Sequence, residues 1–285
     1  MVRTMTFANA EQAEYWESRA SSWMSLESHH EQVIGLPGRM AMDRLGPRPG
    51  QFIVDLGCGT GQTTVELARR VTPGGRAVGV DIAAALLERA REHACEAGVD
   101  NVELLHGDVQ STDIGRARFD GAFSRFGLMF FADPVTAFAN VHNALKPGAV
   151  LSFACWQPVT SNEWMLVPAM AAVSVLGVMP EMPAPDAPGP FSLSDPDRTR
   201  KLLESAGFHD VDISGHSDMM RMPEDAIPWW VDSALKVGVA QRMLEDKDSE
   251  TVERVRAAID RDLRSRVQDG ELALSRSAFL VRAKT

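Results

Sequence analysis

The sequence predicts an α/β protein: a doubly wound, seven-stranded, mostly parallel sheet with helical cap insertions. Three observations predict it. A short apolar run, Phe52-Ile53-Val54, leads into Asp55-Leu56-Gly57-Cys58-Gly59-Thr60-Gly61 and then into a helix-like segment from Gln62. That order of strand, glycine loop and helix builds a ligand cradle at the edge of a parallel sheet. Further apolar runs alternate with helix-like segments along the chain, the pattern of βαβ units. The length of 285 residues and a hydrophobic content of 45% suit one large α/β domain with embellishments.

The first elements are helical. Residues from Asn9 or Ala10 to about Leu26 read as one helix carrying Tyr15, Trp16 and Trp23. A second runs from about Ser28 to Leu45, with Pro37-Gly38 expected to disturb it. The glycine loop follows the first strand. Its spacing is G-x-G-x-G, not the G-x-G-x-x-G of a dinucleotide site, and Asp55 precedes the first glycine by two places. The second strand is Arg76-Ala77-Val78-Gly79-Val80-Asp81. Asp81 lies twenty residues past Gly61, where a carboxylate on the neighbouring strand can accept both hydroxyls of a ribose. The competing reading is that it caps the helix that starts near Ala83. The third strand, Val102-Glu103-Leu104-Leu105-His106, ends in Gly107-Asp108-Val109. The fourth runs from Phe119 to Ser124 and leads into Arg125. Lys146-Pro147-Gly148 is expected to end a helix and open the fifth strand, Ala149 to Ala154.

These motifs, taken as a set, resemble class I S-adenosylmethionine-dependent methyltransferases. The stretch from about Gln51 to Trp156 is similar to the core of the group that includes the ubiquinone and menaquinone biosynthesis methyltransferases. The resemblance implies a Rossmann-like methyltransferase fold with S-adenosyl-L-methionine as cofactor and S-adenosyl-L-homocysteine as product. It implies cofactor contacts from Asp55, Gly57, Cys58, Gly59 and Gly61 in the loop, and from Asp81 and Ile82 at the ribose. It further implies Asp108 at the adenine amino group, with Val109 packing on the ring, and Ser124 and Arg125 at the methionine end. Arg125 could instead pair with Asp133 or with a substrate carboxylate. In related enzymes amino-terminal helices cover the cofactor, which would bring in Tyr15 and Trp23; plain packing of these aromatics is the other reading. The resulting division is an amino-terminal helical lid (1–45), a cofactor-binding core (46–156) and the rest of the same domain (157–285), with cap insertions near 157–193 and 223–270.

The remaining elements carry substrate choice. After the fifth strand come Trp156, Trp164 and an apolar stretch to Met179, then a proline-dense coil from Pro180 to Pro190. A helix begins near Ser194 or Asp195 and stops at Gly207. The sixth strand covers about Asp210 to Ser214 and can continue toward Met222. Trp229-Trp230 and a charged helix from Ser249 to Gln268 precede the last strand, about Ser277 to Ala283. The family's sheet order makes that last strand antiparallel, so both cap insertions emerge over the cofactor edge of the sheet. The roof they form is rich in Met and Trp, including Met165, Met170, Met179, Met182, Met219, Met220 and Met222. Met adapts to irregular apolar ligands, so Trp156, Trp164 and Trp229 are candidate substrate contacts. Core packing of the cap is the competing use of the same residues.

The net charge of −10 argues against a nucleic-acid partner. Three cysteines without a C-x-x-C pair argue against a disulfide scaffold or zinc site, and no metal constellation is expected. Without a signal pattern or an apolar run of membrane-spanning length, a reduced, cytoplasmic protein is expected. The expected activity is methyl transfer to the oxygen, nitrogen or carbon of a small apolar or aromatic molecule. Cofactor binding without methylation and a nucleotide-dependent oxidoreductase are the alternatives, the latter disfavoured by the loop spacing with Asp55 and Asp108. A general base, if used, is assigned to His29 or His30 on the lid; His216 is a further candidate, while His106, His142 and His209 look structural.

Overall fold

The computed structural model describes residues 7–180, 184 and 187–285, the His29 side chain excepted. At the centre of its sheet lies β1 (Phe52–Leu56). On one side come β2 (Arg76–Asp81) and β3 (Val102–His106). On the other come β4 (Phe119–Arg125), β5 (Leu145–Trp156), then β8 (Glu271–Lys284) and, at the edge, β6 (His209–Pro223). Pairings among β1 to β5 are parallel, and β8 runs antiparallel to both β5 and β6. A two-residue strand, β7 (Val267–Gln268), pairs with the start of β8. Strand order reverses between β1 and β4, which opens a crevice at their carboxyl ends. Ile53, Val54, Val78, Val80, Phe123 and Phe153 are almost wholly buried. Burial on both faces is why these strands read as apolar runs and not as alternating ones.

Helices α3 (Gln62–Arg70) and α4 (Ala84–Glu96) follow β1 and β2, and α5 (Pro134–Ala144) follows β4. Asp133 caps α5 by accepting from the Thr136 N–H at 3.0 Å. Asp195 caps α7 (Pro196–Ser205) in the same way, accepting from Asp197 and Arg198. The chain opens with α1 (Ala10–Ser25), which packs on α4, and α2 (Glu27–Leu45), which crosses β4, β5 and β8. A cap of α6 (Glu163–Leu176), α8 (Ile227–Lys236), α9 (Val239–Met243) and α10 (Ser249–Arg264) packs on itself through buried Ile227, Trp230, Val255, Ile259 and Leu263.

The expected disturbance at Pro37 is absent, and α2 is continuous through it. Pro37 has no N–H for the carbonyl of Val33 four residues earlier. Arg276 of β8 supplies the missing donor. Its Nη1 reaches Val33 O at 2.9 Å and Gln32 O at 2.8 Å, while the same guanidinium pairs with Asp218 of β6. Two other boundaries differ from expectation. Lys146-Pro147-Gly148 lie within β5, which already pairs with β4 at Leu145. The charged helix stops at Arg264 because Val267 and Gln268 are drawn into pairing with β8.

Candidate functional site

The glycine loop is shaped from behind by Asp55. Fully buried, it accepts from the hydroxyls of Thr63 and Thr64, both at 2.7 Å, and so ties the end of β1 to the first turn of α3. Its Oδ1 has no hydrogen-bond partner among the described residues. Burial pushes its pKa up to about 6 against the lowering effect of the two threonines. Gly57 and Gly59 adopt φ of 67° and 55°, conformations that disfavour side chains. A Cβ on Gly57 would meet Gly127 Cα at 3.0 Å, so the loops after β1 and β4 touch. A Cβ on Gly59 would have only Trp23 Nε1 near it, at 4.0 Å, because this glycine faces a cavity.

The cavity has a volume of about 440 Å³, within the range of small-molecule sites. Gly57, Gly59, Asp81, Ile82, Asp108 and Val109 line one end. Asp81 is held by the N–H groups of Gly59 (2.7 Å) and Ala83 (2.9 Å) and stands in the wall; it does not cap α4, whose N-cap is Ala83. Burial raises its pKa. Asp108 accepts from Gln110 N at 2.9 Å, and from Asn9 N and Ser111 Oγ at 3.0 Å each. Asn9 also donates to Phe130 O at 2.9 Å, which fastens the start of α1 across the cavity end. Arg125 lines the wall and is fixed by Glu31 of α2 at 2.7 Å and Gln62 at 3.1 Å. Asp133, the partner considered from sequence, is occupied as the α5 cap.

Several expected contacts stand behind the wall. Asp55, Cys58, Gly61 and Ser124 do not line the cavity. The thiol of Cys58 backs onto Gly79, and Gly61 backs onto Ala90 of α4. Ser124 donates to Leu56 O at 2.6 Å and accepts from Gly127 N at 3.3 Å, bracing the two loops.

The other end of the cavity, lined by Trp156, Trp164 and Trp230, is aromatic. Tyr15, Trp16 and Trp23 of α1 also line the cavity, Trp23 beside Gly59, so the wall holds the only Tyr and five of the six Trp in the chain. Trp229, preferred from sequence, is not in the wall, because the phase of α8 turns its neighbour Trp230 inward. The methionine roof also differs. Of the six described Met residues expected there, only Met165 lines the cavity. Met170, Met179 and Met219 are exposed, Met220 and Met222 pack in the core, and Met182 lies outside the described residues. His30 lines the wall, stacked on Trp23 with ring centroids 3.6 Å apart, while the His29 side chain lies outside the described residues. His216 stands away from the cavity wall, 3.7 Å from Asp218. Sequence reasoning missed Asn9 and Phe126, which answer to long-range contacts, and of the Trp229-Trp230 pair it preferred the wrong member as the contact, a choice helical phase could have corrected.

A methyltransferase-domain family model matches residues 53–148, the span from β1 to the first part of β5 that carries the glycine loop, Asp81 and Asp108. The chain carries a methyltransferase domain over these residues. Nocamycin O-methyltransferase of Saccharothrix syringae is 29% identical over 209 residues, 70% of this chain and 74% of that one. Demethylmenaquinone methyltransferase of Lactococcus lactis subsp. lactis (strain IL1403) is 34% identical over 107 residues, 38% of this chain and 42% of that one. Among solved structures, a SAM-dependent methyltransferase from Aquifex aeolicus shares the fold with a TM-score of 0.51 at 18% identity, covering 68% of this chain and 89% of that one. Phosphoethanolamine N-methyltransferase 2 of Haemonchus contortus, solved with S-adenosyl-L-methionine, does so with a TM-score of 0.53 at 16% identity, covering 87% of this chain and 52% of that one. The cavity end described above fits S-adenosyl-L-methionine, the cofactor that the motif resemblance implies. It offers room in front of Gly59, a carboxylate beside that room and apolar Ile82 and Val109 in the same wall.

Proposed function

We propose that this methyltransferase acts on a small apolar or aromatic molecule held between the aromatic lid residues of α1 and the cap. The observation that carries the reading is the continuity of one cavity, from Gly57, Asp81 and Asp108 at one end to Trp164, Trp230 and Val239 at the other. In this reading Asp81 accepts the ribose hydroxyls with Ile82 beside it, Asp108 with Val109 receives the adenine, and Gly57 and Gly59 leave the methionine tail its path. Asp55, Cys58, Gly61 and Ser124 act on the cofactor indirectly, by fixing the loops. Arg125, locked by Glu31 and Gln62, shapes the methionine end, and Tyr15 and Trp23 cover it. The bound cofactor supplies an electrophilic methyl group. The chain's own work is to align the acceptor with that methyl and to exclude water. For an oxygen or nitrogen acceptor, His30 is the wall group suited to take the proton; His29, its neighbour on α2, is the other candidate.

The segments 1–45, 46–156 and 157–285 then serve as lid, cofactor core and cap-bearing remainder. The net charge of −10 supports a small-molecule substrate over a nucleic acid. Three free cysteines are in keeping with a reduced, cytoplasmic setting; no helix among the described residues is long and apolar enough to cross a membrane. Transfer of label from methyl-tritiated S-adenosylmethionine tests the reading. Phenolic and other apolar acceptors are expected to take label into an organic extract. Label entering only amino acids, sugars or oligonucleotides would overturn it.

A further inference from the structure

Phe126 is the first residue after β4, and its φ is +61°. That left-handed conformation favours glycine and is an outlier for a bulky side chain. The next residue shows what sterics alone select. A Cβ on Gly127 would lie 2.8 Å from Leu56 O and 3.0 Å from Gly57 Cα, and glycine stands there. At 126 the backbone likewise favours glycine, yet an aromatic residue occupies it. The conformation is enforced from both sides. Phe126 N–H donates to Ala154 O of β5 at 3.1 Å, and Ser124 Oγ bridges Gly127 N and Leu56 O. A strained backbone at a site is a pointer to function.

The ring has a defined setting. It stacks on Trp156 with centroids 4.0 Å apart and planes at 24°, and Trp156 meets Trp164 at 5.2 Å. All three line the cavity. Phe126 stands one residue from the contact between the two loops, where the glycine-loop end of the cavity gives way to the aromatic end. We infer that Phe126, held in its strained conformation and backed by Trp156, is a specificity-determining residue that selects acceptors with a flat conjugated ring over saturated molecules of the same size. The inference rests on the proposed apolar-acceptor reading and assigns its selectivity to one residue. Aromatic partners gain stacking and edge-to-face attraction beyond area burial, which a saturated ring does not offer.

Titration calorimetry with the full chain saturated in S-adenosylhomocysteine tests this, using 2-naphthol and its saturated counterpart decahydro-2-naphthol as probes. The wild type is expected to prefer 2-naphthol by about tenfold, the upper end of what aromatic pairing adds. Phe126→Leu should bring the two within about twofold, Phe126→Tyr should restore the preference, and affinity for S-adenosylhomocysteine should stay within about twofold in both. If Phe126→Leu does not fold, Trp156→Leu tests the same stack from its other member. Equal binding of the probes to wild type, no binding of either, or a preference that survives both leucine variants overturns the inference while leaving methyl transfer standing. Failure of the wild type to bind S-adenosylhomocysteine overturns the functional reading as well. Strain has its own readout: Phe126→Gly should melt above Phe126→Ala, the reverse of the order at an ordinary strand end. The ordinary order would remove the strain from the argument and overturn the inference.

Discussion

Two buried carboxylates flank the glycine loop and do different work. Asp81 stands in the cavity wall, and its proposed ribose bonds are charge-assisted. Asp81→Asn keeps the shape and should weaken S-adenosylhomocysteine binding about tenfold or more. Unchanged affinity by calorimetry in a folded variant would remove the ribose assignment. Asp55 lies behind the wall, and its pKa stands near 6 in the folded protein against an ordinary value of 3.8. A carboxyl with a raised folded pKa binds protons more tightly when folded, so stability falls as pH rises from about 4 to about 6. Above that window the charged Asp55 costs about 3 kcal/mol relative to its state near pH 4. Asp55→Asn keeps an acceptor for Thr63 and Thr64 and does not titrate. Its stability relative to wild type should therefore improve by up to about 3 kcal/mol between pH 4 and pH 7, as read by urea unfolding at the two pH values. A pH-independent difference would mean that the folded pKa is ordinary.

At the scale of elements, α2 depends on a residue far away in sequence. Arg276 occupies the carbonyl that Pro37 cannot serve and is nearly fully buried against Asp218. Arg276→Leu should cost about 2 kcal/mol or more, since it strands a partly exposed carboxylate and a buried carbonyl. In a Pro37→Ala background the helix regains its own donor for Val33 O, so the cost should shrink by about 1 kcal/mol. Additive costs in this double-mutant cycle would show that the guanidinium matters only through Asp218. The same contact explains what was legible in the sequence. The core from Phe52 to Trp156 announces itself locally, because apolar runs, glycines and strand-end acids each occupy one short window. The continuity of α2, the Glu31–Arg125 pair and the grip of Asn9 on Asp108 join residues 37 and 276, 31 and 125, and 9 and 108. No local pattern encodes such pairs. The cap was legible as apolar and not as a surface. Met170 and Trp229 have the right composition, but helix phase sets them outside the wall.

Across the whole molecule, α1, the proposed lid, is joined to the cap by a polar latch. Arg19 of α1 donates to Gln241 of α9 at 2.8 Å and to Glu245 just beyond it at 2.6 Å, with its guanidinium 4.7 Å from the centre of the Tyr15 ring. Arg19 itself lines the cavity, so the latch borders the space proposed for the cofactor and acceptor. The other end of α1 is fastened through Asn9 to Asp108 and Phe130. A lid held at both ends opens only when one hold releases, and the half-exposed Arg19 pair is the weaker of the two. Arg19→Ala should therefore lower global stability by less than about 1 kcal/mol. It should at the same time raise amide exchange across α1 and speed S-adenosylhomocysteine release, with β1 and β4 unaffected. Exchange mass spectrometry and stopped-flow release measure the two effects independently. Faster release with unchanged exchange in α1 would mean that Arg19 acts as a wall residue and not as a latch. No change in either would assign the hold to the stack of Trp16, Trp23 and His30 beneath it.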